Sequence, residues 1–309
     1  MIPGADKAII DLLGLGPNLN DPQPKLLYHY TSAAGLLGIV ETGRMRATHA
    51  RYLNDSSEIE VLWQHASTRL QQILADAKSK EDKEYLAEVI GAVESRRMSN
   101  EFVASFSENA DDLSQWRAYC SGEPGFSIGF LREAVSTQWV SDPQGGKSSF
   151  VGAQLNKVRY VSADCVALID SAMDDALAIG KQFDGRKGFG GHTISKADGA
   201  RAWISLLAPK YKHAAFCQEC EWRLVLSKPH KPMPGQRFRP GKSKVIPYIE
   251  VELNKGTDGK IAEKYMIERV IVAPTPNPEL GVEAVQGLFL AHGHPEVEVV
   301  ASEVPYRDW

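Results

Sequence analysis

Two glutamates separated by a single residue, Glu219 and Glu221, lie in the segment F-C-Q-E-C-E-W-R-L-V-L, residues 216–226. They lead directly into the apolar run 224–226. On an extended strand, side chains at i and i+2 point to the same face, so the two carboxylates are expected to lie side by side at a strand edge. This placement is unfavourable unless water, cations or a substrate with developing positive charge faces the carboxylates. The segment therefore predicts a strand that carries a paired acidic group, and hence a candidate site.

Apolar periodicity and turn residues predict an α+β fold around this strand. Residues 26–30 predict a first strand, Thr31 and Ser32 can cap the helix that follows at 33–42, and Gly43 can end it. Further strands are expected at 44–50, 102–107, 125–130, 157–161, 219–226, 245–251, 270–273 and 297–301, and further helices at 113–119, 163–183, 196–215 and 280–292.

The chain predicts one main domain. Residues 1–25 are expected to form an N-terminal helix and connector, and residues 26–309 a single α+β domain with a helical insertion at about 56–98. Within the insertion, apolar residues at helical spacing predict two helices that are broken near 78–82. The strands and helices do not alternate regularly, which argues against a parallel βαβ architecture.

Composition narrows the function classes. The formal net charge of −4 argues against a protein that binds nucleic acid through its overall charge, although a local basic groove stays open. No apolar stretch approaches the length of a membrane span, and the N-terminus lacks the basic start and long apolar core of a secretory signal. Four cysteines in 309 residues do not form a disulfide scaffold. We therefore expect a cytoplasmic protein without a membrane partner.

A lone C-x-x-C motif, Cys217 and Cys220, follows His213. A structural zinc site normally needs four ligands, and Cys120 and Cys165 could supply the rest only if the fold happened to bring them there. The simpler interpretation is a pair of small residues at the entry to the strand. We expect no metal here.

Four short segments carry polar or ionisable groups at the ends of predicted strands, and they resemble a known family. With the terminal S-E-V-P-Y-R, they resemble the bacterial family named domain of unknown function twenty-nine seventy-one, from about Leu26 to Arg307. The segments are Y-H-Y-T-S (28–32), R-Y-L-N-D (51–55), S-F-S-E…S-Q-W-R (105–117) and E-C-E-W-R (219–223).

A more remote resemblance is to ADP-ribosyltransferases. Y-H-Y-T-S and the helix after it are similar to the opening of those enzymes, S-F-S at 105–107 to their Ser-x-Ser strand, and E-C-E at 219–221 to their Glu-x-Glu element. The order along the chain is the same. The resemblance implies a split, mostly antiparallel β-sandwich of ADP-ribosyltransferase type, with helical insertions, that binds NAD in the cleft between its sheets.

The same resemblance implies roles for individual residues. Glu221 would stabilise the oxocarbenium-like transition state of nicotinamide–ribose cleavage, and Glu219 would orient or deprotonate the acceptor nucleophile. His29 would hydrogen-bond the adenosine ribose or a phosphate. The expected NAD-binding residues are Tyr30 or Tyr52 stacked on nicotinamide, Arg117 or Arg223 paired with the pyrophosphate, Ser105 and Ser107 beside the Glu221 strand, and Thr31, Asn54 and Trp116.

Each role has a structural alternative. Glu219 and Glu221 can pair with Arg223 and Lys212 on a solvated edge, where ion pairs contribute little. His29 can be a core histidine, Trp116 can pack its helix onto the sheet with Arg117 facing solvent, and Asn54 and Asp55 can cap the next helix with Glu58 in a capping box.

The match to the transferase pattern is incomplete on the first two strands. No arginine stands at the position of His29, and the second strand offers Tyr52 only late, with His49 as a substitute. The subclass and the target of the enzyme therefore stay open.

The leading hypothesis is an NAD-dependent ADP-ribosyltransferase-like enzyme, with NAD as its substrate and a bacterial toxin or antiphage effector as its biological role. The acceptor is a protein, a nucleic acid or water, and water would make the enzyme an NAD glycohydrolase. One alternative is a catalytically silent nucleotide- or protein-binding module. Another is a hydrolase or nuclease that holds Mg²⁺ with Asp55, Glu219 and Glu221. The basic segment 237–244 either contacts an anionic acceptor or forms a solvated turn.

Overall fold

The structure is a computed structural model. It describes residues 24–53, 60–95, 101–120, 123–135, 139–141, 148–150, 152–161, 166–186, 193–227, 235–241, 243–253 and 265–306. The predicted N-terminal helix within residues 1–25 and the expected caps at 54, 55 and 58 lie outside the described residues.

Eight α-helices are described. They are α1 (Ala33–Thr42), α2 (Glu60–Asp76), α3 (Lys80–Glu94), α4 (Leu113–Tyr119), α5 (Arg132–Val135), α6 (Val166–Phe183), α7 (Lys196–Leu207) and α8 (Pro278–Ala291). Short 3-10 helices occupy Ala50–Tyr52, Ala208–Lys210 and Ala214–Glu219.

The described strands alternate irregularly with these helices. They are β1 (Leu26–Ser32), β2 (Arg44–His49), β3 (Glu101–Ser107), β4 (Gly125–Leu131), β5 (Trp139–Ser141), β6 (Ser148–Phe150), β7 (Gly152–Lys157), β8 (Arg159–Val161), β9 (Tyr211–His213), β10 (Glu221–Ser227), β11 (Arg237–Pro240), β12 (Val245–Glu252), β13 (Ile267–Val272) and β14 (Glu298–Ala301).

The helix boundaries follow local sequence signals. The Ser32 hydroxyl accepts from the backbone N–H of Gly35, and Gly43 ends α1 in the left-handed conformation at φ 63°. In the same way the Ser79 hydroxyl accepts from the N–H of Asp82 and begins α3. The predicted break between the two helices of the insertion is therefore confirmed, because Ser79 caps a new helix at that point.

Twelve of the described strands form one sheet, which is antiparallel except between β13 and β14. The order β14-β13-β4-β1-β3-β2-β12-β5-β6 is its main path, β10 pairs with both β3 and β7, and β11 pairs with β12. Strands β8 and β9 form a separate parallel pair. A mixed α and β fold with a largely antiparallel sheet is thus confirmed.

The sheet divides at β3. One edge of β3 pairs along its whole length with β10. The other edge is shared, because Ser107 pairs with Tyr28 of β1 whereas Val103 and Phe102 pair with the end of β2. Strands β1 and β2 therefore diverge from β3, and the backbone around Ser105 lies between the two contacts.

Apolar side chains fill both faces of the sheet. On one face, α1 and α8 pack against alternate residues of the central strands, among them Phe102, Phe106 and Trp222. On the other face, α2, α3, α6 and α7 form a helical layer that includes Val103 in its core. The predicted insertion is therefore part of the packed domain, and it lies on the sheet face that also holds Ser105 and Glu221.

Several predicted boundaries were wrong. The helix predicted over 196–215 ends at Leu207, because Pro209 follows and lacks the backbone N–H that a helix interior needs. The basic segment 237–244, predicted as loop or turn, contains β11. Strands β5 and β6 were not predicted. None of the described helices is long and apolar enough to cross a membrane.

The close contact between α6 and α7 at Gly180 predicts that replacing this helical glycine with alanine lowers stability, although alanine normally stabilises a helix relative to glycine. A Cβ atom at Gly180 would lie 2.5 Å from the backbone oxygen of Lys196 and 2.9 Å from the Cβ of Ala200. Gly180→Ala should therefore lower the free energy of unfolding by about 1–3 kcal/mol through overpacking, measured by urea denaturation.

Gly91→Ala is the control, because a Cβ at Gly91 meets nothing within 4 Å. It should raise stability by up to about 1 kcal/mol. Equal effects of the two substitutions would contradict this packing.

Candidate functional site

His29 occupies the point where β1 and β2 diverge. Its Nδ1 lies 2.9 Å from the backbone oxygen of Ser105. A carbonyl oxygen only accepts, so Nδ1–H donates this bond and Nε2 is left as the acceptor of the neutral ring. Burial lowers the pKa of His29 from its ordinary value, and the bond to Ser105 opposes the shift in part. The imidazole is therefore neutral at physiological pH.

Glu221 is the first residue of β10, and its carboxylate is 5% exposed. Arg223, which is fully buried, donates to both of its oxygens, with Nε 2.8 Å from Oε1 and Nη2 3.0 Å from Oε2. The Ser105 side chain, on the adjacent strand, helps to lower the pKa of this carboxylate. Glu221 lies opposite Ser107 and Arg223 opposite Ser105, so all four side chains share one face of the sheet.

Lys212 joins the two glutamates from the neighbouring strand β9. Its Nζ atom lies 2.6 Å from Oε2 of Glu219 and 3.1 Å from Oε2 of Glu221, and the side chain is only 2% exposed. The ammonium group also lies 4.8 Å from the centre of the Phe216 ring. Glu219 is the outer member of the cluster, with 23% of its side chain exposed.

The backbone places Glu219 and Glu221 differently from the prediction. Glu219 ends the 3-10 helix at 214–219 rather than lying on β10, and Cys220 takes the left-handed conformation at φ 43° before the strand begins. The two glutamates are therefore not successive residues on one strand face. They converge because both contact Lys212.

Long-range hydrogen bonds hold this turn against β3 and β8. The Ser107 hydroxyl donates to the backbone oxygen of Glu219 at 2.7 Å, and the N–H of Glu108 donates to the oxygen of Cys220. The N–H of Glu221 donates to the Tyr160 hydroxyl at 2.7 Å. The acidic turn is thus fixed from both sides.

The charge balance keeps Glu221 ionised. Burial alone would raise its pKa, but the Arg223 charge and hydrogen bonds, the Lys212 charge and the nearby Ser105 side chain together lower it below its ordinary value of 4.5. The alternative prediction, that the two glutamates form ion pairs with Arg223 and Lys212, gave the right partners but placed the pairs on a solvated edge. The structure buries them instead, where removing one partner has a much larger effect than at a surface.

The other predicted NAD-binding residues lie in three places. Tyr52 contacts the ring of His49 at the far end of β3, and Asn54 lies outside the described residues. Thr31 lies against Gly35 of α1. Tyr30 is buried with its ring against Trp116, and its hydroxyl donates to the backbone oxygen of Asn109. Their roles in binding NAD stay predictions.

Trp116 and Arg117 lie beside the C-terminal segment. Asp111 accepts from the indole N–H of Trp116 at 2.6 Å and from the Ser302 hydroxyl at 2.6 Å. The Arg117 guanidinium lies 5.0 Å from the centre of the Tyr306 ring. Trp116 is buried, as the alternative interpretation predicted, and Arg117 is exposed next to it.

Two cavities of 410 and 340 Å³ lie beside the start of α8 and the segment 301–306. Neither is lined by His29, Glu219 or Glu221. Within the acidic cluster itself, Lys212 and Glu221 are buried, at 2% and 5% exposed.

Comparison with protein families bears on the middle of the chain. Residues 115–224 match the model of the family described as "Protein of unknown function (DUF2971)". The predicted family is confirmed over this part of the chain. The DUF2971 match includes the part of α4 from Gln115 onward, Lys212 and the E-C-E-W-R segment, whereas Y-H-Y-T-S, R-Y-L-N-D, S-F-S-E and S-E-V-P-Y-R lie outside it. Comparisons with curated proteins and with solved structures give no significant match.

The C-x-x-C motif lies in the same DUF2971 segment. Cys217 is exposed and Cys220 partly so, and neither forms a disulfide. Among the residues that the structure describes, no three His, Cys, Asp or Glu side chains are grouped closely enough to hold a metal ion. The motif covers the end of the 3-10 helix at 214–219, and its last residue, Cys220, takes the left-handed conformation between the two glutamates.

Sequence reasoning missed Tyr160 as a site residue and treated Lys212 only as a surface partner. Both belong to the short parallel pair β8–β9, in which Tyr160 lies opposite Lys212. The one available signal was a lysine between Tyr211 and His213, in a segment predicted as helix. The partnership itself arises only when β9 lies beside the start of β10.

Removing the central cation should destabilise the protein strongly. Lys212→Met keeps most of the side-chain volume but leaves Glu219 and Glu221 without their shared cation, which should lower the free energy of unfolding by about 3–5 kcal/mol in urea denaturation. Lys157→Met is the matched control, because Lys157 is exposed and pairs with Glu108 at 2.8 Å. The control should change stability by less than about 1 kcal/mol. Similar losses would mean that the Lys212 cluster is a surface network.

The lowered pKa of Glu221 predicts a pH dependence of stability. A carboxylate with a lowered folded-state pKa stabilises the fold fully above its ordinary value of 4.5, and the contribution is lost as the pH falls below that value. The difference in free energy of unfolding between the native protein and Glu221→Gln should therefore be largest above pH 4.5 and shrink on acidification. A difference that stays constant across this range would contradict the assigned shift.

Proposed function

We propose that this protein is an NAD-dependent enzyme of ADP-ribosyltransferase type that cleaves the nicotinamide–ribose bond and transfers ADP-ribose to an acceptor. One observation carries the proposal. Glu221 at the start of β10 lies beside Ser105 of the adjacent β3, whose side chain helps to lower the pKa of the carboxylate, and the carbonyl of Ser105 accepts from His29 of β1. These are the three positions, in the same order, on which the resemblance to ADP-ribosyltransferases rests. The divergence of β1 and β2 at this point is compatible with a split sheet of that type.

The chemistry needs a fixed negative charge beside the ribose. When the bond between the ribose and nicotinamide breaks, its electron pair leaves with nicotinamide and the ribose becomes positively charged. An ionised carboxylate stabilises that charge best when it is already oriented, because no reorganisation is then needed in the transition state. The lowered pKa of Glu221 and its two-point contact with Arg223 supply both conditions.

Access to Glu221 requires Lys212 to move. The ammonium group covers Oε2 of Glu221, but its contact with Glu219 is shorter, 2.6 Å against 3.1 Å. Substrate would displace Lys212 toward Glu219, where it keeps one carboxylate partner. This movement would replace an ammonium charge at Glu221 with the charge that develops on the ribose.

Glu219 is the group that an acceptor would meet. Its side chain is partly exposed while Glu221 is buried. In the proposed reaction Glu219 takes the proton of the acceptor nucleophile as the new bond to the ribose carbon forms. A macromolecular hydroxyl, amine or carboxyl group would become ADP-ribosylated, and water would give free ADP-ribose.

His29 fits a ribose hydroxyl better than a phosphate. Its neutral ring donates through Nδ1 to Ser105 and has only the Nε2 lone pair left. A hydroxyl can donate to that lone pair, whereas a phosphate oxygen cannot. This distinction favours the ribose among the two ligands that the resemblance implies for His29.

One feature favours a second candidate, a catalytically silent nucleotide-binding module. Both oxygens of Glu221 contact cations and the side chain is almost fully buried. A module of this kind would bind NAD without releasing nicotinamide.

Metal-dependent hydrolysis is less well supported, because Lys212 and Arg223 already occupy the carboxylate oxygens that Mg²⁺ would need. A role as a toxin or antiphage effector in the cytoplasm is part of the proposal.

The proposal predicts NAD cleavage that depends on Glu221. Purified protein incubated with NAD, with and without cell lysate, should release nicotinamide, measured by chromatography. Glu221→Gln should reduce the rate by about two orders of magnitude or more, because it removes the charge and keeps the shape. Glu108→Gln is the matched control, because Glu108 is a neighbouring glutamate that contacts Trp222 and Lys157, and its substitution should leave the rate nearly unchanged.

Three results would reject the proposal or narrow it. NAD binding without nicotinamide release would favour the silent module. Release that a chelator abolishes would favour the metal-dependent alternative. An unaffected Glu221→Gln variant would remove Glu221 from the mechanism. Unfolding midpoints of all variants, recorded in the same buffer, show whether a lost rate reflects a lost fold.

A further inference from the structure

The C-x-x-C motif places two accessible thiols on one short turn. Cys217 is exposed, Cys220 is partly exposed, and both are free. The backbone N–H of Cys220 donates to the backbone oxygen of Cys217 at 3.3 Å, and a turn closed by this bond brings the two Cα atoms to within about 7 Å of each other. Disulfides join cysteines whose Cα atoms are about 4.4–6.8 Å apart. The backbone of the turn therefore has the spacing that a disulfide needs.

The sulfur of Cys220 already lies over this turn. Its Sγ atom is 3.7 Å from the backbone oxygen of Cys217. Cys217 belongs to the 3-10 helix at 214–219, and Cys220 caps that helix. Side chains three residues apart stand one above the other on a 3-10 helix. Closing a disulfide therefore requires rotation of the two side chains rather than a change of fold.

The end of β3 holds the turn in place. Three successive backbone oxygens of the turn accept hydrogen bonds from residues 107–109, and the left-handed conformation of Cys220, at φ 43°, is unfavourable for a residue with a Cβ unless its surroundings impose it. The turn is therefore ordered before any disulfide forms. The three bonds run from the Asn109 amide to Gln218 at 3.0 Å, from the Ser107 hydroxyl to Glu219 at 2.7 Å, and from the Glu108 N–H to Cys220 at 3.1 Å.

We propose that Cys217 and Cys220 are a redox site that reacts with small-molecule disulfides of the glutathione type and closes to an internal disulfide. The thiolate of the more exposed Cys217 attacks one sulfur of glutathione disulfide, whose S–S bond breaks, and one glutathione leaves as its thiolate. The thiolate of Cys220 then attacks the Cys217 sulfur and expels the second glutathione. The two protons lost by the protein thiols end on the two glutathione thiolates, so the protein is oxidised and glutathione disulfide is reduced.

Cys120 supplies an internal reference for this reaction. It is buried, and burial raises the pKa of its thiol to about 12. The thiolate is the form that attacks a disulfide, so a buried thiol of this kind reacts poorly. Cys120 should stay reduced under conditions that oxidise the C-x-x-C motif.

The disulfide ring would include one member of the acidic cluster. Glu219 lies between the two cysteines, and its carboxylate contacts Nζ of Lys212 at 2.6 Å. Closing the ring fixes the backbone of residues 217–220 in the conformation that holds Glu219 beside Lys212. The redox state of the motif is thereby coupled to the outer edge of the cluster. This thiol chemistry needs no NAD, so it does not rest on the proposed enzymatic function.

The test is a redox titration of the full-length protein with mixtures of reduced and oxidised glutathione, in buffer and in urea. Samples are quenched with acid, alkylated and digested with trypsin, and the peptide 213–223, which contains both cysteines and no others, is analysed by mass spectrometry. Folded protein should convert reversibly to the internal disulfide. Its equilibrium constant should be at least about tenfold larger than in urea, because the ordered turn removes the entropic cost of ring closure.

Two variants test the anchor at the end of β3. Asn109→Ala removes the side-chain hydrogen bond to Gln218 and should lower the folded-state constant about fivefold, which is the contribution of one ordinary hydrogen bond. Glu108→Gln is the matched control, because its backbone N–H still donates to Cys220, and the constant should be unchanged.

Four outcomes would overturn the proposal. They are equal constants in buffer and in urea, a mixed disulfide with glutathione that never closes to the internal bond, pairing of Cys217 with Cys120, Cys165 or a second molecule, and equal effects of the two variants. Unfolding midpoints recorded for both variants show whether each is folded. The comparison between buffer and urea uses the native protein alone, so it decides the outcome even if a variant does not fold.

Discussion

The carboxylate of Glu221 can be buried only because Arg223 and Lys212 bring positive charge to its oxygens. Arg223 also donates to the backbone oxygen of Pro209, and Lys212 reaches back to Glu219. The cluster therefore ties the start of β10 to the end of the α7 region, to β9 and to the turn before the strand. Buried ion pairs are weak evidence for stability, since a hydrophobic substitute of equal volume often does as well. What this cluster supplies is an ionised, oriented carboxylate at a fixed place in the sheet.

That place is set by the division of the sheet at β3. One edge of β3 pairs with β1 near Ser107 and with β2 near Phe102. Between these two contacts, His29 donates a hydrogen bond to the backbone oxygen of Ser105. The same strand presents Ser105 and Ser107 to the acidic turn on its opposite edge. A single strand thus connects the histidine to the glutamate, and this connection underlies the proposed NAD chemistry.

Local signals in the sequence predicted much of the secondary structure. Ser32 and Gly43 mark the ends of α1, and the break before α3 follows from Ser79, because capping depends on residues within a few positions. The sequence predicted the acidic pair and its partners, Arg223 and Lys212, but it did not predict that this cluster is buried. Burial depends on β3, β8 and the helices α2 and α3, which are distant from β10 in sequence. The left-handed turn at Cys220 was also unpredictable, because cysteine has no preference for that conformation, and it moved Glu219 off the strand. Periodicity thus located the strand, whereas the position of Glu219 depended on the conformation of one residue, Cys220.

We propose that Glu221, Ser105 and His29 belong to one dinucleotide site that Lys212 closes. The most direct measurement is a crystal structure with a non-cleavable NAD analogue. In that structure the nicotinamide ribose should lie within hydrogen-bond distance of Glu221, an adenosine ribose hydroxyl should donate to Nε2 of His29, and Lys212 should contact Glu219 alone. An analogue bound elsewhere, with Lys212 still between the two glutamates, would contradict it.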